Sequence, residues 1–170
     1  DDIRALDKEA CEHIAQTNCR IKYQVVMQDE RENGLREILN LGHTVGRAIE
    51  TVSDYRLLHG EALSIGLIAE AQLACQYGYL SDRDRDAMIS LLQKAGLPAA
   101  IPSYIDREAL VRKLYTDKKV RNGRLRFVIQ KGIGDIAEFE KGVFAVPVEE
   151  ETARAVIMNM PGMAGGPQPA

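Results

Sequence analysis

The stretch ILNLGHTVGRAIE (Ile38–Glu50) keeps the apolar rhythm of a helix, yet it sets a histidine, His43, between Gly42 and Thr44. Apolar side chains at three- and four-residue steps mark the buried face of a helix, so a helix is predicted within the run from Leu35 to about Val52. The next segment, HGEALSIGLIAEAQLACQY (His59–Tyr77), is apolar nearly all round, as expected of the central helix of a bundle. Working outward from this pair, the spacing of Leu6, Ile14, Ile21 and Val25 predicts one long helix from Ile3 to about Val26, broken by the polar QDERENG. Ser81 with Asp84 reads as a capping box opening a helix that KAGLP closes through Gly96 and Pro98. Asp106 caps another helix through Leu110 and Leu114, ending near DKKVRNG (Asp117–Gly123). RLRFVIQKGIGDIAEFE (Arg124–Glu140) alternates around Gly132 and Gly134 and predicts a hairpin, after which no further strand is expected. Pro147, followed by Glu149, Glu150 and Glu151, predicts the first turn of a last helix reaching about Met158. The expected fold class is therefore mainly α, a multi-helix bundle with one small β-hairpin. Residues 1–158 form the domain and the Gly- and Pro-rich residues 159–170 a flexible tail.

The chain has 170 residues, 45% of them hydrophobic, enough to bury the core of one domain and too few for two. Its 22 basic and 25 acidic residues are well mixed, with a formal charge of −3, so it has no field that would draw it to nucleic acid or an anionic membrane. Three cysteines, Cys11, Cys19 and Cys75, make neither a CxxC pair nor an even framework and read as reduced thiols of a cytoplasmic protein. No run approaches the ~20 apolar residues of a membrane span, and the acidic start lacks the shape of a signal peptide. Asp1 opens in mid-pattern, which suggests a fragment.

Chemistry has to be sought among few residues, because the only histidines are His13, His43 and His59. His13 lies on a charged helix and reads as a solvated or capping group. His43 and His59 sit at polar positions within the most apolar part of the chain, with Glu50 and Glu61 near in sequence. Two imidazoles on adjacent helices can ligate a divalent ion, zinc foremost, or can be satisfied core histidines, and their spacing alone does not choose. Arg36, Asn40 and His43 fall at three- and four-residue steps and would share one helix face, suited to a hydroxylated, anionic substrate. Lys22, Glu32, Lys118 and Lys119 add cationic and carboxylate groups that are equally compatible with ordinary solvated positions.

Taken together, DERENGLREILNLGHTVGRAIE, LLHGEALSIGL and DKKVRNGRLRFVI resemble, in this order, the carboxy-terminal domain of the 3-dehydroquinate synthase family. The resemblance reaches to about Met158. It implies the helical half of a cytoplasmic, homodimeric enzyme of the shikimate pathway. That enzyme converts 3-deoxy-D-arabino-heptulosonate 7-phosphate to 3-dehydroquinate and phosphate with NAD and a divalent metal, zinc or cobalt. Its NAD-binding domain is amino-terminal to the part seen here. The family's metal histidines fall on His43 and His59, while Arg36, Asn40 and one or both of Lys118 and Lys119 match substrate contacts. Lys22 and Glu32 match active-site groups, and Arg47 stands where the family usually has a second active-site histidine. A third metal ligand of the family, a glutamate, precedes this stretch. The chain by itself is therefore expected to fold, to bind zinc weakly or not at all, and to be inactive. A related sugar-phosphate cyclase with another product, a metal-dependent alcohol dehydrogenase and a non-catalytic helical module are the alternatives; Arg47, a poor proton shuttle, leaves room for the first, the motif string argues against the second, and Asn40 with Lys118 and Lys119 favours 3-dehydroquinate synthase itself.

Overall fold

The computed structural model describes residues 2–116 and 125–164, and side-chain caps set the starts of the helices that begin at Lys8 and Asp82. Helix α1 (Lys8–Gln28) begins later than Ile3 because the Asp7 side chain accepts the Ala10 N–H at 2.9 Å, and residues 2–6 form turns instead. Only Val25 of α1 is buried. The expected continuous helix from Leu35 is corrected: Leu35–Asn40 is a 3₁₀ helix, and a turn at Leu41 and Gly42 separates it from α2 (His43–Val52). Gly42 has φ 78°, a left-handed conformation that ends helical propagation and is cheap only for glycine.

Helix α3 (His59–Gln76) is the centre of the bundle, with Ala62, Ile65, Ile68, Ala69, Leu73 and Ala74 at 1% exposure or less. Each such isoleucine or leucine contributes about 1.5–3 kcal/mol by leaving water. Helix α4 (Asp82–Lys94) is capped by the Ser81 side chain, which accepts the Asp84 N–H, and Gly96 follows its end with φ 82°. Strand β1 (Ile101–Pro102) leads to α5 (Arg107–Thr116), where the Asp106 carboxylate accepts the Glu108 N–H.

The hairpin is present as β3 (Gln130–Gly132) and β4 (Asp135–Ile136), preceded by β2 (Leu125–Val128). Strand content continues beyond it, contrary to expectation. Pro147 lies in β5 (Ala145–Val148), antiparallel to β2 and opposite Arg126. A two-stranded ladder leaves one edge of each strand unpaired, where a residue lacking an N–H does no harm. The last helix, α6, is Glu150–Asn159. The expected flexible tail is corrected in its first residues: Met160 is buried, and β6 (Gly162–Met163) pairs in parallel with β1. Hydrogen bonds from Ile101 N–H to the Pro161 carbonyl and from Ser103 N–H to that of Met163 hold it there. The fold is mainly α, with its short strands confined to two-stranded pairs. Among the described residues no helix is long and apolar enough to cross a membrane.

Glycine sets how closely α2 and α3 approach. A Cβ at Gly66 would overlap the Gly42 carbonyl oxygen and lie 2.8 Å from the Gly46 nitrogen, while one at Gly46 would come within 2.7 Å of the Leu63 side chain. Near the end of α5, the buried Tyr115 hydroxyl has no hydrogen-bond partner among the described residues, and burial pushes its pKa up to about 12, with Glu150 and Glu149 adding to the effect. Ultraviolet titration is expected to show one late tyrosine near that pH, absent from Tyr115→Phe, with Tyr115→Phe costing no more than about 0.5 kcal/mol of stability because no bond is lost.

Candidate functional site

The site is assembled around the turn that the opening stretch contains. Upstream of it, Asp29 at the end of α1 turns inward and accepts three backbone N–H groups: Asn33 at 2.7 Å, Gly34 at 3.0 Å and Arg36 at 2.8 Å. The Arg36 and Asn33 bonds hold its carboxyl below the usual aspartate range, against a smaller opposing effect of burial. This clamp fixes the loop in which Glu32 takes φ 57° and Arg36 enters the 3₁₀ helix. The Arg36 guanidinium pairs with Glu32 at 3.1 Å and donates to the Glu30 carbonyl. On the other side of the 3₁₀ helix, Glu37 accepts the Phe144 and Ala145 N–H groups at 3.3 and 3.0 Å, tying it to β5.

His43 and His59 are the first residues of α2 and α3, and the helix crossing brings their ring centroids to 5.6 Å. The His43 Nδ1 lies 3.2 Å from the Leu41 carbonyl oxygen, and the His59 Nδ1 lies 2.9 Å from Glu50 Oε1. Metal-ligating histidines usually engage a carbonyl or carboxylate through one ring nitrogen and the metal through the other. The two imidazoles, each with Nδ1 beside an oxygen, are the candidate pair for a divalent ion. Among the described residues no third histidine, cysteine, aspartate or glutamate completes a group around them, so a closed site needs a ligand from elsewhere. Glu61 is not such a ligand here, since its carboxylate accepts the Leu58 N–H at 2.8 Å and caps α3. The His59 side chain is 57% exposed, so this histidine faces solvent rather than the core.

Beside His43, a cleft of about 290 Å³ including its open mouth is lined by Thr44, Arg47, Lys113 and Leu125 among others. Imidazole, guanidinium and ammonium converging on one cleft favour an anion. The expected single helix face of Arg36, Asn40 and His43 is corrected, because the turn at Leu41 and Gly42 divides the 3₁₀ helix from α2. Lys22 is exposed on α1, and Lys118 and Lys119 lie outside the described residues. His13 is exposed, as expected. Sequence reasoning missed Asp29, Glu37, Glu70 and Lys113. Of these only Glu70 leaves a sequence signal, a lone carboxylate within an otherwise apolar helix.

Solved structures define the class first. The fold is similar to that of 2-deoxy-scyllo-inosose synthase, solved with carbaglucose-6-phosphate, NAD+ and Co2+, at a TM-score of 0.73 and 28% identity over 82% of this chain and 38% of that one. It is also similar in fold to 2-epi-5-epi-valiolone synthase from Streptomyces hygroscopicus, solved with NAD+ and Zn2+, at a TM-score of 0.70, 19% identity and coverage of 89% and 40%. The class is thus that of the fold these synthases have over about two-fifths of their length.

The family follows from sequence: residues 1–120 match the family described as 3-dehydroquinate synthase C-terminal, and the chain belongs to it. It is 44% identical over 161 residues to the 3-dehydroquinate synthase of Nostoc punctiforme, covering 94% of this chain and 43% of that protein. It is 46% identical over 134 residues to that of Pelobacter propionicus, covering 78% and 37%. The chain therefore spans less than half the length of these curated relatives.

Proposed function

We propose that residues 1–158 are the metal- and substrate-binding helical domain of a cytoplasmic, homodimeric 3-dehydroquinate synthase acting in the shikimate pathway. The observation that carries this reading is the His43–His59 pair at 5.6 Å, with one nitrogen of each ring already held by an oxygen, in a chain of this family. The reaction converts 3-deoxy-D-arabino-heptulosonate 7-phosphate to 3-dehydroquinate and phosphate. NAD binds in the portion of the enzyme that this chain does not span. A divalent cation, zinc or cobalt, held by His43 and His59 with a ligand from outside the described residues, supplies Lewis-acid polarisation of substrate oxygens.

The residues of this chain then bind and orient. Arg36, held by Asp29 through its backbone and paired with Glu32, offers a guanidinium to a substrate carboxylate or phosphate. Asn40 binds substrate hydroxyls, and Lys118 and Lys119 supply further positive charge to the phosphate. Lys22 stabilises developing negative charge, and Glu32 accepts or steadies a proton. Arg47, exposed at the cleft beside His43, holds the leaving phosphate by charge but is no proton relay, so the proton that the elimination takes from the substrate carbon goes to the departing phosphate or to water.

The test joins this chain to the amino-terminal portion of the Nostoc punctiforme relative and follows phosphate release from the heptulosonate phosphate with NAD. The fusion is expected to turn over with bound zinc, and His43→Ala or His59→Ala to weaken zinc binding at least about 100-fold. A fusion that folds and binds NAD, yet releases no phosphate and takes no zinc, would sink the reading. Arg47 favours a second reading, a related cyclase with another product, which product analysis in the same assay would reveal.

A further inference from the structure

We infer that Glu70 is a positioning residue for His43, acting on the turn that precedes it; this rests on the proposed metal role of His43. Glu70 lies in the interior of α3 and is 0% exposed. Its Oε2 accepts the Gly42 N–H at 2.6 Å, although the two residues are far apart in sequence. Gly42 is the residue immediately before His43, and its carbonyl accepts the Gly46 N–H at 2.9 Å in the first turn of α2. Both polar groups of Gly42 are thereby engaged, its N–H by α3 and its C=O within α2. With φ at 78°, this residue sets the direction in which His43 leaves the turn.

The arrangement has a regular basis in α3. At 100° per residue, positions 66 and 70 lie about 20° to either side of position 59, so the three share one face. That face carries the second imidazole at its open end, His59, then the glycine that admits the Gly42 carbonyl, then the carboxylate that takes the Gly42 N–H. Helix α3 therefore presents one imidazole itself and orients the other through Gly42. The backbone contact at Gly66 and the hydrogen bond at Glu70 thus set the turn from which His43 projects, in addition to the contacts of the rings themselves with the Leu41 carbonyl and Glu50. Burying a carboxylate amid alanine, isoleucine and leucine is unfavourable unless a donor engages it, and the Gly42 N–H does so at Oε2. A residue kept there against that cost holds a backbone geometry that an apolar side chain would leave loose.

The test uses the 170-residue chain itself, labelled with 15N, as Glu70→Gln and Glu70→Leu. Hydrogen exchange at the Gly42 amide and long-range 1H–15N spectra of the histidine rings are the readouts. Glutamine keeps an acceptor oxygen and is expected to leave Gly42 protected and the His43 ring signals in place. Leucine removes it, and is expected to speed Gly42 exchange roughly 10- to 100-fold and to shift the His43 ring signals, while His59, held by Glu50, stays put. A folded Glu70→Leu with unchanged Gly42 exchange and unchanged His43 signals overturns the inference. Should Glu70→Leu not fold, Glu70→Gln decides: an unprotected Gly42 with His43 unmoved overturns it, and joint retention of both supports it. Zinc added to the fusion with the amino-terminal portion, which supplies the missing ligand, answers the other question separately. Absent shifts at both rings in that fusion overturn the metal reading, while Gly42 exchange in the 170-residue chain still decides whether Glu70 orders the turn.

Discussion

Gly66→Ala is expected to cost about 3 kcal/mol or more in stability, or to prevent folding, as read from the urea midpoint. The added Cβ would overlap the Gly42 carbonyl oxygen and crowd the Gly46 nitrogen, and both obstacles are backbone. A flexible side chain could swing away; a helix backbone can only retreat, and retreat would open the packing of α2 on α3 and draw His43 from His59. Gly60→Ala is the control. It lies on the same helix with nothing within 4 Å of the added carbon, and alanine there is expected to add about 0.4–1 kcal/mol. Equal midpoints for the two variants would show that the α2–α3 contact does not govern this fold.

Asp29→Ala should release the loop that carries Glu32 and Arg36. Three N–H groups lose their acceptor at once, and the loop is expected to lose exchange protection at Asn33, Gly34 and Arg36 together, with Tm falling by roughly 5 °C or more. Asp29→Asn, which keeps one acceptor oxygen, should fall in between. The pH dependence has a definite sign. The folded-state pKa of Asp29 is depressed, chiefly by the Arg36 and Asn33 N–H bonds, so its contribution is fully present above the unfolded value of ~3.9 and is lost as pH falls through the lower folded value. Acid titration of Tm is thus expected to show a loss below about pH 4 that is smaller in Asp29→Ala. Parallel acid profiles in the two proteins would remove Asp29 from the set of groups that clamp the loop.

Much of this was legible in the sequence because it depends on local rules. The periodic apolar residues of α3, the Ser81 and Asp106 caps and the Gly132–Gly134 hairpin each follow from interactions within a few residues. The errors arose where long-range contacts prevailed. Pro147 and the acidic residues after it suit a helix start, yet pairing of residues 145–148 with β2 draws that segment into a strand and delays the helix to Glu150. The Gly- and Pro-rich end reads as a free tail, yet Met160 finds the core and Gly162 and Met163 find β1. The run from Leu35 reads as one helix because leucine and isoleucine keep the right spacing, while the break depends on what Gly42 meets on α3.

The sequence by itself determined the helical class of this domain, its central apolar helix and its membership of the family. Those are properties of composition, period and order along the chain. Only the tertiary structure decided that the two rings meet, that Asp29 and Glu70 hold the turns on either side of the 3₁₀ helix, and that Arg47 opens onto the same cleft as His43 and Lys113. The physical reason is that a hydrogen bond or a van der Waals overlap acts over a few ångströms of space, whatever the distance along the chain. Glu70 and Gly42 become neighbours only once α2 has been packed against the glycine face of α3.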